Sequence, residues 1–191
     1  MDKTDSSLSE QFVTFTLAGE EYAVDVFRVK EVIDPPPVTK VPNMPDYIPG
    51  VINLRGIVTP VVDLRYKLGL GKTEHTTDTR ILIVQVDIDG KETPTGIIAD
   101  KVSQVTHISK EEMKSPPEMG TRIRSEFLHG MGEASEDHFL LILDIDKVLA
   151  ADEMLHVIEQ AEEQETTDGS DENASVNLTT EHDTDATTQQ E

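Results

Sequence analysis

Short apolar runs that alternate with polar residues, and that end at glycine or proline, dominate the first 150 residues. From Gln11 the chain alternates in this way to Leu17, turns at Gly19, and resumes as far as Val24. Runs of this length that are rich in β-branched and aromatic residues predict strands, and the intervening turn predicts a β-hairpin. Residues 48–63 hold two further runs, so they predict a second pair of strands.

The part of the chain from 80 to 143 repeats this style. It predicts strands at 80–87, 95–99, 101–105, 127–132 and 138–143, with a hairpin turn at Asp89-Gly90. Helical spacing predicts short helices at 26–33, where Asp25 serves as the N-terminal cap, and at 64–70, 144–148 and 152–160. Many short strands at this spacing favour a barrel or a sandwich, and the polar connector 72–79 is the predicted boundary between two halves. No internal repeat of fixed period is present.

Charge is distributed unevenly along the 191 residues, whose net charge is −22. Residues 151–191 hold 13 of the 38 acidic residues and no Lys or Arg. An acidic surface argues against binding to nucleic acid or to an anionic membrane, because phosphate groups are bound by clustered Lys and Arg. Segment 162–191 has too few apolar residues to offset chain entropy, so we predict an acidic disordered tail there and a disordered arm at 1–10.

The absence of three sequence features predicts the cellular compartment of the protein. The absence of Cys excludes a disulfide framework and Cys-based zinc sites. The polar N-terminus is unlike a secretory signal, and no run approaches the roughly 20 apolar residues that a membrane-spanning helix needs. These features predict a cytosolic protein.

Fragments of known catalytic and metal-binding motifs are each incomplete. Residues 69–73 end like a phosphate-binding loop but lack its first glycine, and residues 87–90 resemble the start of a calcium loop without its later ligands. No two of the six His are spaced as metal ligands, and no nucleophile motif is present. The remaining catalytic hypothesis is a hydrolase that uses Asp25 and Asp63 as a carboxylate pair. We therefore predict no enzyme activity, no metal and no cofactor.

Arg55 is the only charged residue between Asp46 and Asp63. A lone guanidinium beside buried strands either forms an internal salt bridge, here to Asp63 or Asp46, or is held at a surface for a partner. The sequence alone leaves both interpretations open.

Several stretches resemble CheW, the coupling protein family of bacterial chemotaxis. They are FTLAGEEYAVDVFRVKEVI (15–33), VPNMPDYIPGVINLRGIVTPVVDLR (41–65), VQVDIDGK (84–91), IIADKVSQV (97–105), EFLHGMG (126–132) and LLILDIDKVL (140–149). The resemblance covers residues 11 to about 158, and the pattern NLRGxxxPxxDLR at 53–65 is its most specific part. It identifies residues 11–161 as a CheW-like domain.

The resemblance implies a mainly β fold of two tandem five-stranded Src-homology-3-like β-barrels, with short helices at the seam and at the C-terminus and a groove between the barrels. It implies a non-catalytic scaffold whose partners are the cytoplasmic tip of a methyl-accepting chemoreceptor and the regulatory domain of the histidine kinase CheA. No small-molecule substrate and no direct membrane insertion are implied. The residues that the resemblance places at receptor- or kinase-binding positions are Arg55, Val29, Glu31, Gly50, Asn53 and Gly56.

Two alternatives stay open at this point. A CheW-like protein of another chemosensory pathway, such as surface motility, has the same sequence features. The hydrolase hypothesis requires the fold to bring Asp25 and Asp63 together. The favoured location is the cytoplasm, at receptor arrays beneath the inner membrane.

Overall fold

A computed structural model describes residues 9–88, 90–116, 123–135 and 138–149. These residues form ten strands and two short helices, and none of the helices described is long and apolar enough to cross a membrane. The strands are β1 Ser9–Leu17, β2 Glu20–Asp25, β3 Val29–Ile33, β4 Gly50–Leu54, β5 Ile57–Asp63, β6 Arg80–Ile88, β7 Lys91–Ala99, β8 Lys101–Ser109, β9 Leu128–Ser135 and β10 His138–Leu143; the helices are α1 Leu64–Lys67 and α2 Ile145–Val148.

The strands form two five-stranded sheets whose members are interleaved along the chain. The first sheet has the order β8-β1-β2-β10-β9, and the second has the order β3-β6-β7-β5-β4. The strands within residues 29–99 thus make the whole second sheet, while the strands before and after that range make the first. The predicted mainly β fold with two five-stranded units is confirmed. Connector 72–79, the predicted boundary between the two halves, joins α1 to β6, and the strands on both sides of it belong to the second sheet.

The two sheets repeat one topology with a shifted starting point. If β3 to β7 are matched in order to β8, β9, β10, β1 and β2, the strand orders coincide. The directions coincide too, because β5–β7 and β10–β2 are the parallel pairs and the other pairs are antiparallel. A one-turn helix follows β5 and β10, and an aspartate, Asp63 or Asp144, caps each one. The copies differ in their starting point along the chain, since β3 to β5 precede their counterparts whereas β6 and β7 follow theirs.

An isolated bridge joins the segment after the first strand of each repeat to the next strand. Thr39 pairs with Val51 in the second sheet, and Lys114 pairs with Met131 in the first. Residues 38–41 include Thr39 of this isolated bridge and belong to none of the ten strands. Gly50 is required beside it, because a Cβ on Gly50 would lie 2.0 Å from the carbonyl oxygen of Thr39. Each bridge links the segment after one edge strand to the other edge strand of the same sheet.

The largest apolar cluster lies between the sheets. Alternation along each strand divides the side chains: Leu82 and Val84 of β6 join this shared core, whereas Ile81 and Ile83 face a smaller cluster within the second sheet. Tyr22 of β2 belongs to the shared core and is fully buried. Because the junction is filled with apolar side chains, a partner can meet it only at its rim.

The predicted helix at 26–33 is wrong. Asp25 does cap a turn, since its Oδ1 accepts a hydrogen bond from the backbone N–H of Phe27 at 2.8 Å. That turn is a single 3₁₀ turn, Val26–Arg28, and the chain then continues as β3 in antiparallel pairing with β6. Val29 and Glu31 therefore lie on an edge strand. The predicted helix at 152–160 and the predicted tail at 162–191 lie outside the described residues. The predicted disordered arm at 1–10 is wrong for Ser9 and Glu10, which begin β1, and its residues 1–8 lie outside the described residues.

Candidate functional site

The turn between β4 and β5 displays Arg55. Leu54 pairs with Ile57, so the hairpin loop consists of Arg55 and Gly56 alone. Both have positive φ, 55° and 87°, as a type I′ turn requires. Asn53 completes the turn, because its Oδ1 accepts a hydrogen bond from the backbone N–H of Gly56 at 2.7 Å. Asn53 and Gly56 thus shape the turn, and the side chain of Arg55 is 78% exposed.

Arg55 forms an ion pair with Glu31, across the space between the two edge strands of the second sheet. The Nη2 of Arg55 lies 2.8 Å from the Oε2 of Glu31, whose side chain is only 25% exposed. An exposed pair of this kind contributes about 0–1 kcal/mol to stability. Its effect is therefore mainly to orient the guanidinium, which remains open to solvent on its other side.

The two internal partners expected for Arg55 are engaged elsewhere. Asp63 caps α1 by accepting from the backbone N–H of Tyr66, and it also accepts from the backbone N–H and the hydroxyl of Thr73. Asp46 accepts a hydrogen bond from the hydroxyl of Tyr66 at 3.4 Å. The internal-pair interpretation named the wrong acids, since the partner is Glu31.

Four of the six predicted site residues meet at this end of the second sheet: Arg55, Glu31, Asn53 and Gly56. Val29 is on the same strand as Glu31, but it is half-buried and packs against the shared core. Gly50 is buried at the start of β4, where it accommodates Thr39. Both therefore have packing roles that explain these residue types without a partner.

Sequence reasoning missed two exposed apolar side chains that adjoin the ion pair along the chain. Val32 follows Glu31 and is 42% exposed, and Ile57 follows Gly56 and is 55% exposed. Both belong to apolar runs that predicted burial. Their exposure depends on the position of each residue at a sheet edge or a hairpin end, which a run of apolar letters does not reveal. Arginine beside apolar side chains is a composition enriched at protein–protein contacts.

The carboxylates of the hydrolase hypothesis have separate roles in separate sheets. Asp25 ends β2 of the first sheet and caps the 3₁₀ turn, while Asp63 ends β5 of the second sheet and caps α1. Thr73, at the end of the fragment that resembles a phosphate loop, is bound to Asp63. These hydrogen bonds assign Asp25, Asp63 and Thr73 structural roles in turns and helix caps. Among the residues described, no cluster of His, Asp and Glu is arranged to hold a metal ion.

Two interleaved five-stranded sheets that share one apolar core define the class of fold as mainly β with two repeated units. Residues 11–153 match the family model for the CheW-like domain. The chain belongs to the CheW family, whose members are non-catalytic scaffold proteins.

Individual relatives agree with this assignment. The chain is 33% identical over 148 residues to the chemotaxis protein CheW of Klebsiella aerogenes, which covers 78% of this chain and 86% of that protein. It is 36% identical over 140 residues to the CheW of Bacillus subtilis, with coverage of 73% and 86%. The crystal structure of the scaffolding protein TtCheW from Thermoanaerobacter tengcongensis superposes with a TM-score of 0.69 at 34% identity, over 81% of this chain and 98% of that one.

Proposed function

We propose that this protein couples chemoreceptors to the histidine kinase CheA in chemotactic signal transduction. It binds the cytoplasmic tip of a methyl-accepting chemoreceptor through the Arg55 end of the second sheet, and the kinase regulatory domain through a separate surface. It works in the cytoplasm, at receptor arrays beneath the inner membrane. The observation that carries the proposal is the exposed Arg55–Glu31 pair on a rigid hairpin turn.

The chemistry of the Arg55 end suits a helical partner. A guanidinium offers several donors in a planar fork, so it can bind a carboxylate or the last carbonyl groups of a helix while Glu31 holds its other side. Ile57, two residues after Arg55 and 55% exposed, offers apolar surface of the kind that the apolar face of a helix packs against. Because Glu31 already orients Arg55, less side-chain entropy is lost when the partner binds.

Net charge restricts the partners further. At −22 the chain repels nucleic acid and anionic lipid unless a local basic patch overcomes its overall field. In the proposed complexes contact is made with proteins alone.

The test is co-sedimentation of this protein with receptor-containing membranes and CheA, followed by kinase activity. Arg55→Ala is expected to weaken receptor association by about tenfold, the effect of losing one charge-assisted contact of about 1.4 kcal/mol. Its thermal midpoint is expected to stay within a few degrees of the wild type, because the ion pair is exposed.

The matched control is Arg124→Ala. Arg124 is 72% exposed and pairs with Glu126, so the control removes a comparable pair from the other sheet's side of the molecule. Receptor association should be unchanged in this variant. Equal binding by Arg55→Ala and the wild type would refute the receptor site, and wild-type protein that sediments with neither partner would refute the proposed function.

A further inference from the structure

Asp100 joins three parts of the molecule at the rim of the junction between the sheets. It lies in the connection from β7 of the second sheet to β8 of the first. Its Oδ2 accepts a hydrogen bond from the backbone N–H of Ala18, in the β1–β2 turn of the first sheet, at 2.7 Å. The same oxygen lies 3.3 Å from the Nη1 of Arg65, on α1 beside the second sheet. We call this group the Asp100 clasp.

Asp146 makes the corresponding contacts in the other repeat. It lies on α2, which follows β10 of the first sheet, and its Oδ2 is paired with the guanidinium of Arg28 in the connection from β2 to β3. Its Oδ1 accepts a hydrogen bond from the backbone N–H of Asp87, near the end of β6 in the second sheet, at 3.0 Å. We call this group the Asp146 clasp.

The two clasps occupy equivalent places in the repeated topology, with the charges exchanged. In one, the helix supplies the arginine and the connection supplies the aspartate; in the other, the helix supplies the aspartate and the connection supplies the arginine. Each clasp unites a helix beside one sheet, a connection between the sheets, and the hairpin end of the opposite sheet. The two connections are the places where the chain passes between the sheets.

Directional contacts of this kind resist rotation of one sheet against the other, which an apolar core does only weakly. The shared core holds the sheets together through burial, which is a non-directional force. A hydrogen bond weakens steeply when its angle departs from linear, so each clasp penalises rotation of one sheet against the other. The side chains involved are 22–34% exposed, so they are better shielded from water than Arg55 is.

We propose that the Asp100 and Asp146 clasps are positioning devices that fix the orientation of the two sheets, and with it the geometry between the receptor-binding and kinase-binding surfaces. This inference rests on the proposed function, because orientation matters to a scaffold that holds two partners at once. Neither aspartate touches a partner. Each acts on coupling through the placement of surfaces that lie elsewhere.

The test begins with distances measured by spin labels, which the absence of native Cys makes straightforward. Ser103→Cys on the first sheet and Lys91→Cys on the second, both at exposed positions, report the distance between sheets. Lys40→Cys with Lys91→Cys reports a distance associated with the second sheet alone. Asp100→Asn and Asp146→Asn remove one ion pair each, and together they are expected to broaden the inter-sheet distribution about twofold while the second distribution stays unchanged.

The functional arm separates positioning from binding. In the double variant we expect receptor and CheA each to bind within about threefold of the wild-type affinity, while receptor-dependent kinase activation falls by about tenfold. Asp34→Asn is the matched control, since it breaks the Arg80–Asp34 pair next to β3 and β6 of one sheet. Both readouts should be unchanged in that variant.

An inter-sheet distribution identical to the wild type would overturn the inference, as would a loss of kinase activation that is matched by an equal loss of partner binding. If the double variant does not fold, the two single variants decide the question, with about half of the broadening expected in each. Wild-type protein that binds neither partner would refute the proposed function. The spin-label distances between the sheets would still test whether the clasps fix their orientation.

Discussion

Arg55 occupies a backbone conformation that few residues other than glycine adopt. Its φ of 55° places it in the left-handed region, where a side chain costs of the order of 1 kcal/mol relative to glycine. The adjacent Gly56 meets the same demand at no such cost. Arginine thus stands at a position where the turn itself favours a different residue. Strain of this kind accompanies functional positions, which agrees with a partner contact for the exposed guanidinium.

Gly50 provides a prediction at the same scale. Gly50→Ala is expected to destabilise the fold by about 3 kcal/mol or more, because the new Cβ would meet a backbone oxygen at 2.0 Å and φ is 148°. Urea denaturation measures the change. Gly19→Ala is the control: its φ is also positive, yet no atom lies within 4 Å of the added carbon, so only the cost of about 1 kcal/mol for backbone strain applies. Equal losses in the two variants would contradict the packing role of Gly50.

At the scale of elements, the segment that follows Asp25 shows why the spacing of apolar residues wrongly predicted a helix there. Val26, Val29 and Val32 with Ile33 fit helical spacing, but all four are β-branched and favour strands. Pairing with β6, which lies some 50 residues further along the chain, decided the outcome. The cap by Asp25 and the β4–β5 hairpin were predictable because their determinants are local. The interleaving of the sheets was not, since periodicity carries no information about which strands pair.

The site was predictable to the same extent. The two apolar runs in 48–63 predicted the pair of strands that flanks Arg55, and the family resemblance named Arg55, Asn53 and Gly56 as site residues. The partner Glu31 was named only through the family resemblance, and it was placed on a helix. Its ion pair with Arg55 spans 24 residues and depends on how the edges of the second sheet approach each other, so no local pattern contains it.

The turn after β8 supplies a prediction about pH. Ser109 and Glu112 form a reciprocal cap, and the hydrogen bonds from the backbone N–H and the hydroxyl of Ser109 lower the pKa of Glu112 below its ordinary value of 4.5. A carboxyl whose pKa is lowered by folding contributes stability above its unfolded pKa, and this contribution is lost as pH falls through the folded pKa.

Ser109→Ala removes the hydroxyl but keeps the backbone donor. We therefore expect the pKa of Glu112 to rise part of the way to 4.5 in this variant, as measured by NMR titration of the side-chain carboxyl carbon. An unchanged pKa for Glu112 would show that the hydroxyl contributes nothing to the cap.

At the scale of the whole molecule, the two repeats share one core, and the chain passes from one sheet to the other twice. The connections after β2 and β7 carry the chain between sheets, and the clasps sit at these crossings. The two units therefore differ from independent domains joined by a linker, since neither unit can separate from the other without exposing the shared core. The shared core holds the two sheets together, and the two clasps are the contacts that we propose to fix their orientation.

The acidic segment at the C-terminus gives the last prediction. Residues 162–191 carry few apolar side chains and lie outside the described residues, while the family match ends at 153. Deletion of 162–191 is expected to leave the thermal midpoint unchanged, because this composition buries little surface on folding. Scanning calorimetry of the full chain and the truncated chain measures it. A midpoint lowered by several degrees would indicate that the segment is docked on the folded body.

The parallel pairing of β2 with β10 has a consequence for synthesis on the ribosome. The middle of the nascent chain, residues 29–99, carries every strand of its own sheet and can begin to pair once it has emerged. The opening hairpin must wait, because its neighbour is among the last strands to be translated. Until then β2 presents an unpaired edge, and this interval is when the protein is most exposed to aggregation and to chaperones.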